Sequence, residues 1–254
     1  MELFPALSGP GALLAALCVG LVAGLIKGMV GFAMPMVMIS GLGLFLAPEI
    51  ALAGLILPTL VTNGWQALRT GPAAAWAAIR EFRLFLAVGA VMLTLSAQLV
   101  AVLPQRVLLG LIGGPIVLFA ALQLVGWQLR LAQRSARIEA GIGAFAGFIG
   151  GMSGVWGPPT VAYLTAIDTP KARQVVIQGV VYGLGAVMLC AAHLRSGVLS
   201  GATLPLSALM VLPALAGMAL GLAVQDRFDQ RTFRRATLAV LLVAGLNLLR
   251  RALF

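Results

Sequence analysis

The chain has 254 residues, of which 61% are hydrophobic and only 9% charged, and its mean hydropathy is +1.06. A soluble domain holds about 45–50% apolar and about 25% charged residues, so the polar surface cannot coat a water-soluble globule, and a cytosolic enzyme is excluded. The formal net charge of +10 lies in short Lys and Arg clusters between apolar runs. That is how membrane topology is written, so nucleic acid is excluded as a partner. The apolar runs are continuous rather than alternating, which excludes a membrane β-barrel and leaves an all-α polytopic membrane protein with the lipid bilayer as its surroundings.

In chain order, Glu2 without a basic n-region argues against a cleaved signal peptide. A Gly-rich apolar stretch over roughly 11–47 is broken near Lys27 to Pro35, and three clearer spans follow at about 50–68, 84–103 and 107–128. The succession then restarts. A stretch over roughly 138–167 is broken near Gly150 to Pro159, with spans at about 174–193, 202–224 and 235–249. Each broken half-piece is short for a full span. Cys18 and Cys190 sit inside apolar segments without metal or disulfide spacing and read as packing residues. No cofactor or metal is expected.

The restart is a duplication. Residues 20–31 align without gaps on 143–154, and Pro35 lies over Pro158, a constant offset of 123 with eight identities, five of them Gly or Pro. Leu68-Arg69-Thr70-Gly71 is echoed by Leu194-Arg195-Ser196-Gly197. The chain therefore divides into repeats at 1–130 and 131–254 within one integral membrane domain.

Charge chooses between two topologies. If each broken stretch crosses once, nine basic residues face seven, which carries no orientation signal. If each is a hairpin that returns to its starting side, twelve share one face: Arg69, Arg80, Arg83, Arg130, Arg134, Arg137, Lys171, Arg173, Arg227, Arg231, Arg234 and Arg235. Arg106, Arg195, Arg250 and Arg251 then face the other way. Twelve against four obeys the positive-inside rule, placing the Arg-rich loops in the cytoplasm. Each repeat then makes an odd number of crossings, so the two are inverted. Inverted repeats with interrupted helices characterise secondary transporters, whose site lies near the midplane.

The breaks and two polar stripes supply the candidate site. Gly20, Gly24 and Gly28, and likewise Gly143, Gly147 and Gly151, have the four-residue spacing of helix packing. Gly31, Gly154, Gly157 and the prolines Pro35, Pro158 and Pro159 fit the breaks better. A half-helix starting there aims unpaired N–H groups and a positive dipole end at an anion. Lys27 is the charge at membrane depth, a functional candidate because burying it costs about 2.5–3.5 kcal/mol. Its repeat partner is Gly150, so the scaffold does not require it. Thr59, Thr62, Asn63 and Gln66 share one helical face, as do Gln174, Gln178 and Tyr182. The bland alternative for these stripes is interhelical hydrogen bonding. The proposed spans contain no Asp or Glu, which disfavours proton or Na⁺ carboxylate chemistry and leaves neutral or anionic cargo.

The two motifs, 24–35 with Gly28, Gly31 and Pro35, and 147–159 with Gly151, Ser153, Gly154, Trp156 and Gly157, resemble the Gly-rich, proline-terminated motifs that open each half of the TauE/SafE family of bacterial membrane permeases. The resemblance implies transport of a small anion such as sulfite, a sulfonate or another organic anion, across the bacterial inner membrane. Lys27 and the loss of part of the glycine run distinguish the first motif. The competing reading is a rhomboid-like intramembrane protease, since Gly151-Met152-Ser153-Gly154 matches G-x-S-G and His193 follows. His193, at a span end, is expected to lie too shallow for that. A non-transporting membrane subunit is the third reading, and a homodimer is left open.

Overall fold

The structure, a computed structural model, describes residues 10–69, 71–127, 131, 134–224 and 230–254. Every element among them is helical. In the first half these are α1 (Pro10–Val30), α2 (Met34–Leu42), α3 (Pro48–Leu68), α4 (Pro72–Glu81), α5 (Arg83–Ala97), which runs into a 3-10 turn at Gln98–Ala101, and α6 (Gln105–Leu124). The second half holds α7 (Ala136–Ser153), α8 (Gly157–Ala166), α9 (Lys171–Ser196), α10 (Leu204–Val224) and α11 (Gln230–Leu253). Six of the described helices are long and apolar enough to cross a membrane: those at 11–29, 48–68, 83–101, 105–124, 176–196 and 204–224. The chain is an integral membrane protein.

Both interruptions fall where the glycines and prolines put them. α1 ends on Gly31 at φ +84° and α7 on Gly154 at φ +71°. In each, the N–H of that glycine closes a 2.7 Å bond to a carbonyl four residues back, Lys27 O and Gly150 O. This is the left-handed C-cap that glycine adopts without steric cost. Pro35 and Pro158 then open α2 and α8 within the first helical turn. The pieces are uneven, however. α1 has 21 residues and so is about 31 Å long, a whole bilayer core, while α2 has 9 and is about 14 Å long. The first arm is thus a full-length helix, and only the second is a half-helix.

The chain doubles back at each break. Gly41 of α2 packs against Val19 of α1, ten and twelve residues either side of Gly31. Leu131 N–H, just before α7, bonds Ala166 O at the end of α8 at 2.8 Å. The charges agree. Arg173, beyond the second broken stretch, pairs with Glu81 at 2.5 Å, and Arg134, before that stretch, pairs with the same carboxylate at 3.1 Å. On the opposite end Arg251 donates to Gly43 O, and Arg106 to Phe254 O at 3.4 Å. Those pairings fit the hairpin arrangement and leave no room for a single crossing at the second stretch. Of the twelve basic residues assigned to one face, Arg130 and Arg227, with the side chains of Lys171, Arg231 and Arg234, lie outside the described residues.

Glycine sets the helix pairing. Gly20, Gly24 and Gly28 lie against Met210, Ala214 and Met218 of α10, a constant difference of 190, so α1 and α10 run parallel. Gly143 lies against Phe85 of α5, Gly147 against Gly89 and Gly151 against Leu93, so α7 and α5 also run parallel. A Cβ at Gly24 or Gly147 would overlap a backbone carbonyl of the facing helix, the close approach that small residues permit. α3 crosses α9 antiparallel, with Asn63 at Tyr182 and Ala67 at Gly179. α6 crosses α11 antiparallel, with Gly113 at Leu248 and Gly110 at Ala252. Exchanging the halves maps each of these pairings onto another of the set or onto itself.

Candidate functional site

Where the two breaks approach each other, a small cavity is lined by Lys27, Pro35, Asn63, Gly154, Trp156, Gly157 and Tyr182, with Phe32, Ala33, Met36 and Val155. Seven of these are among the residues nominated from the sequence. Phe32 and Ala33 are not, because nothing in an apolar run marks the residue that fills a break. Phe32 stands edge-on to Phe119 of α6, ring centroids 6.2 Å apart, and Ala33 takes a left-handed φ of +76°. A non-glycine residue there is held against its preference by its surroundings.

Lys27 is 2% exposed and sits in the last turn of α1. Its ammonium donates to Asn63 Oδ1 on α3, and Asn63 Nδ2 donates to Tyr182 O on α9 at 3.3 Å. Tyr182 OH reaches Gly157 O at 3.4 Å. This chain of bonds ties both breaks to the crossing of α3 and α9. Among the described residues no carboxylate lies within ion-pair distance of Lys27. A buried cation left without a counter-charge is costly.

The half-helices add donors, though the prolines thin them out. In α2 the first engaged N–H is that of Val37, to Ala33 O at 3.0 Å, leaving those of Met34 and Met36 ahead of it. In α8 the first is Thr160, to Trp156 O at 3.4 Å. Pro158 and Pro159 carry no N–H, so Gly157 alone supplies the first turn. Both positive helix ends therefore meet the cavity beside the ammonium.

The remaining expected residues divide. Gln178 places Oε1 about 3.9 Å from where a Cβ on Gly31 would stand, so this pair sits at the cavity's margin. Gln66 is 7% exposed with both amide atoms unpartnered, and Thr59, fully buried, also lacks a partner for its hydroxyl. Thr62 bonds Pro58 O at 2.7 Å and touches Met34 Sδ at 3.7 Å, so it serves the packing of α2 on α3. Gly28 and Gly151 do not face the cavity; they carry the α1–α10 and α5–α7 seams. The two polar stripes meet because α3 and α9 are antiparallel, not because they are equivalent. With the offset of 126 that relates these helices, Gln178 matches Leu52.

Ser153 and His193 are each committed elsewhere. Ser153 Oγ donates to Ile149 O at 2.7 Å and accepts Val155 N–H at 3.1 Å. His193 is fully buried by the protein in the last turn of α9, its Nε2 paired with Gly151 O at 2.7 Å and its Nδ1 with Ser196 Oγ at 3.0 Å. The second pairing follows from the C-terminal turn of α9 folding over its own last residues. Ser153 and His193 form no dyad with each other.

The sequence profile of the sulfite exporter TauE/SafE family matches residues 16–248, nearly the whole chain and both breaks. The chain belongs to the TauE/SafE family. No curated protein and no solved structure matches it. TauE/SafE membership makes it an anion-exporter type of membrane transporter.

Proposed function

We propose that this TauE/SafE protein carries a small oxyanion, sulfite or a compact organosulfur or organic anion, through the cavity between the two breaks by alternating access. The observation that carries the reading is Lys27: a buried ammonium with no carboxylate beside it, bonded to Asn63 and flanked by the free first-turn N–H groups of α2 and α8. An anion would supply the missing counter-charge and accept those donors.

Alternating access rests on inverted repeats, 1–130 and 131–254. The antiparallel crossings of the matched helices, α3 with α9 and α6 with α11, support inversion, because a two-fold relating antiparallel rods lies in the membrane plane. The Arg-rich end, with Arg80, Arg83, Arg134, Arg137 and Arg173, faces the cytoplasm of a bacterial inner membrane on the positive-inside rule. The test is flux of radiolabelled sulfite into proteoliposomes. Flux that falls at least tenfold in Lys27→Ala, with the unfolding midpoint retained, supports the reading. Flux in neither protein for any small anion overturns it.

A further inference from the structure

A second cavity, about 950 Å³ free of atoms, runs between α5, α7 and α9 and is almost wholly apolar. Leu86, Ala90 and Leu93 of α5 form one wall and Leu184, Val187 and Met188 of α9 another. Val187 is 52% exposed, so the cavity opens as a groove on the lipid-facing surface. Its ends differ. At one stands Arg83, and at the other the indole of Trp156, which also lines the anion cavity. Trp156 is 5% exposed and slots between Gly150 and Gly185, where a Cβ on either would crowd its ring.

Three features together define an occupant. The first is length: from Arg83 to Leu93 is ten residues, about 15 Å of helix, half of a hydrocarbon core of about 30 Å and so the depth of one leaflet. The second is charge. Arg83, Arg80 and Arg137 gather at the same end of the α5–α7 pair, and none of them has an acidic partner among the described residues. The third is asymmetry. The matching seam in the other half, α3 with α10, is closed by a Leu57 N–H bond to Ser207 Oγ at 3.1 Å and by Leu206 against Gly54. An open groove is therefore not a requirement of the scaffold.

The geometry points to a binding site for one anionic phospholipid, its phosphate at Arg83 and an acyl chain lying in the groove with its end against Trp156. Because Trp156 is the wall shared with the anion cavity, the lipid chain buttresses the transport site from behind.

The test uses a protein whose exposed tryptophans are replaced (Trp65→Phe, Trp76→Phe, Trp127→Phe), leaving Trp156 as the fluorophore, in vesicles of phosphatidylcholine carrying phosphatidylglycerol or phosphatidylcholine with brominated acyl chains. Brominated phosphatidylglycerol should quench Trp156 at about five-fold lower mole fraction than brominated phosphatidylcholine, the preference expected of one basic residue near an anionic headgroup. Arg83→Gln should erase that preference, and Ala90→Phe, which fills the groove, should abolish quenching by both. Equal quenching by the two lipids in the Arg83 protein, or none by either, overturns the proposal. Should the triple replacement fold poorly, native mass spectrometry of the unaltered chain decides: one retained phosphatidylglycerol that is lost in Arg83→Gln supports the site, and none retained overturns it.

Discussion

The Lys27 ammonium donates to the side-chain carbonyl of Asn63, joining the last turn of α1 to the C-terminal half of α3. Asn63→Asp puts a permanent carboxylate where a transported anion would compete for the same cation. We expect this variant to keep its fold while sulfite flux falls at least tenfold. Asn63→Leu removes the partner of a buried charged group and should cost about 1.5–3 kcal/mol in stability. Parallel flux and thermal-unfolding measurements separate the two. An Asn63→Asp protein with undiminished flux would contradict the assignment of Lys27.

Gln66 buries an amide that bonds nothing in the protein. Gln66→Leu relieves that cost without breaking a hydrogen bond, so stability should rise by about 1 kcal/mol. Flux should fall, because the variant removes polar surface next to the α3–α9 crossing. Lower stability in Gln66→Leu would mean the amide is satisfied in the working protein.

Gly147→Ala and Gly64→Ala make a matched pair. A methyl at Gly147 overlaps the Gly89 carbonyl, while one at Gly64 meets open space. The first should lose about 1–3 kcal/mol by forcing α5 and α7 apart. The second should gain a few tenths to about 1 kcal/mol from helix propensity. Chemical unfolding in detergent micelles gives both numbers.

Arg134 and Arg173 share Glu81, yet they should differ. Arg134 also holds the buried Glu139 at 3.0 Å, whose other carboxylate oxygen accepts Phe85 N–H at 3.3 Å. Burial lowers the Arg134 pKa, but its hydrogen bond and charge interaction with Glu139 leave it raised overall, so it stays cationic. Arg134→Ala strands a buried carboxylate and should cost about 1–3 kcal/mol. Arg173, 61% exposed, should cost less than about 1 kcal/mol, and that loss should shrink further in salt.

Ser153→Ala leaves the Val155 N–H without its acceptor in a buried turn and should lower stability by about 1–2 kcal/mol. It should release no peptide-cleavage phenotype, since His193 is held by Gly151 and Ser196. A membrane peptide cleaved by the native chain and spared by Ser153→Ala would restore the protease reading.

Much of this architecture was legible because membrane chains advertise it. The glycines and prolines at 31–35 and 154–159 fit breaks better than packing, and the spacing of Gly20, Gly24 and Gly28 fits a packing face. The distribution of arginines selected the doubling-back that Arg173 and Glu81 display. What packs against a glycine face was not legible: nothing in 20–28 names α10, since any close-fitting helix satisfies it. The α4 helix went unseen because Pro72–Glu81, at 10 residues, is too short to read as a span, although Gly71-Pro72 is a helix-start signal. Trp156 read as part of a motif, and its double duty as wall between two cavities depends on the room left by Gly150 and Gly185, residues far apart in the chain.

The glycine seams bind each long broken-stretch helix to a partner from the opposite half, α1 to α10 and α7 to α5. Neither half owns a finished surface. Either half alone would display a bare strip of backbone to lipid. The same interlocking means that a cut between residues 127 and 134 should be tolerated only when both fragments are made together.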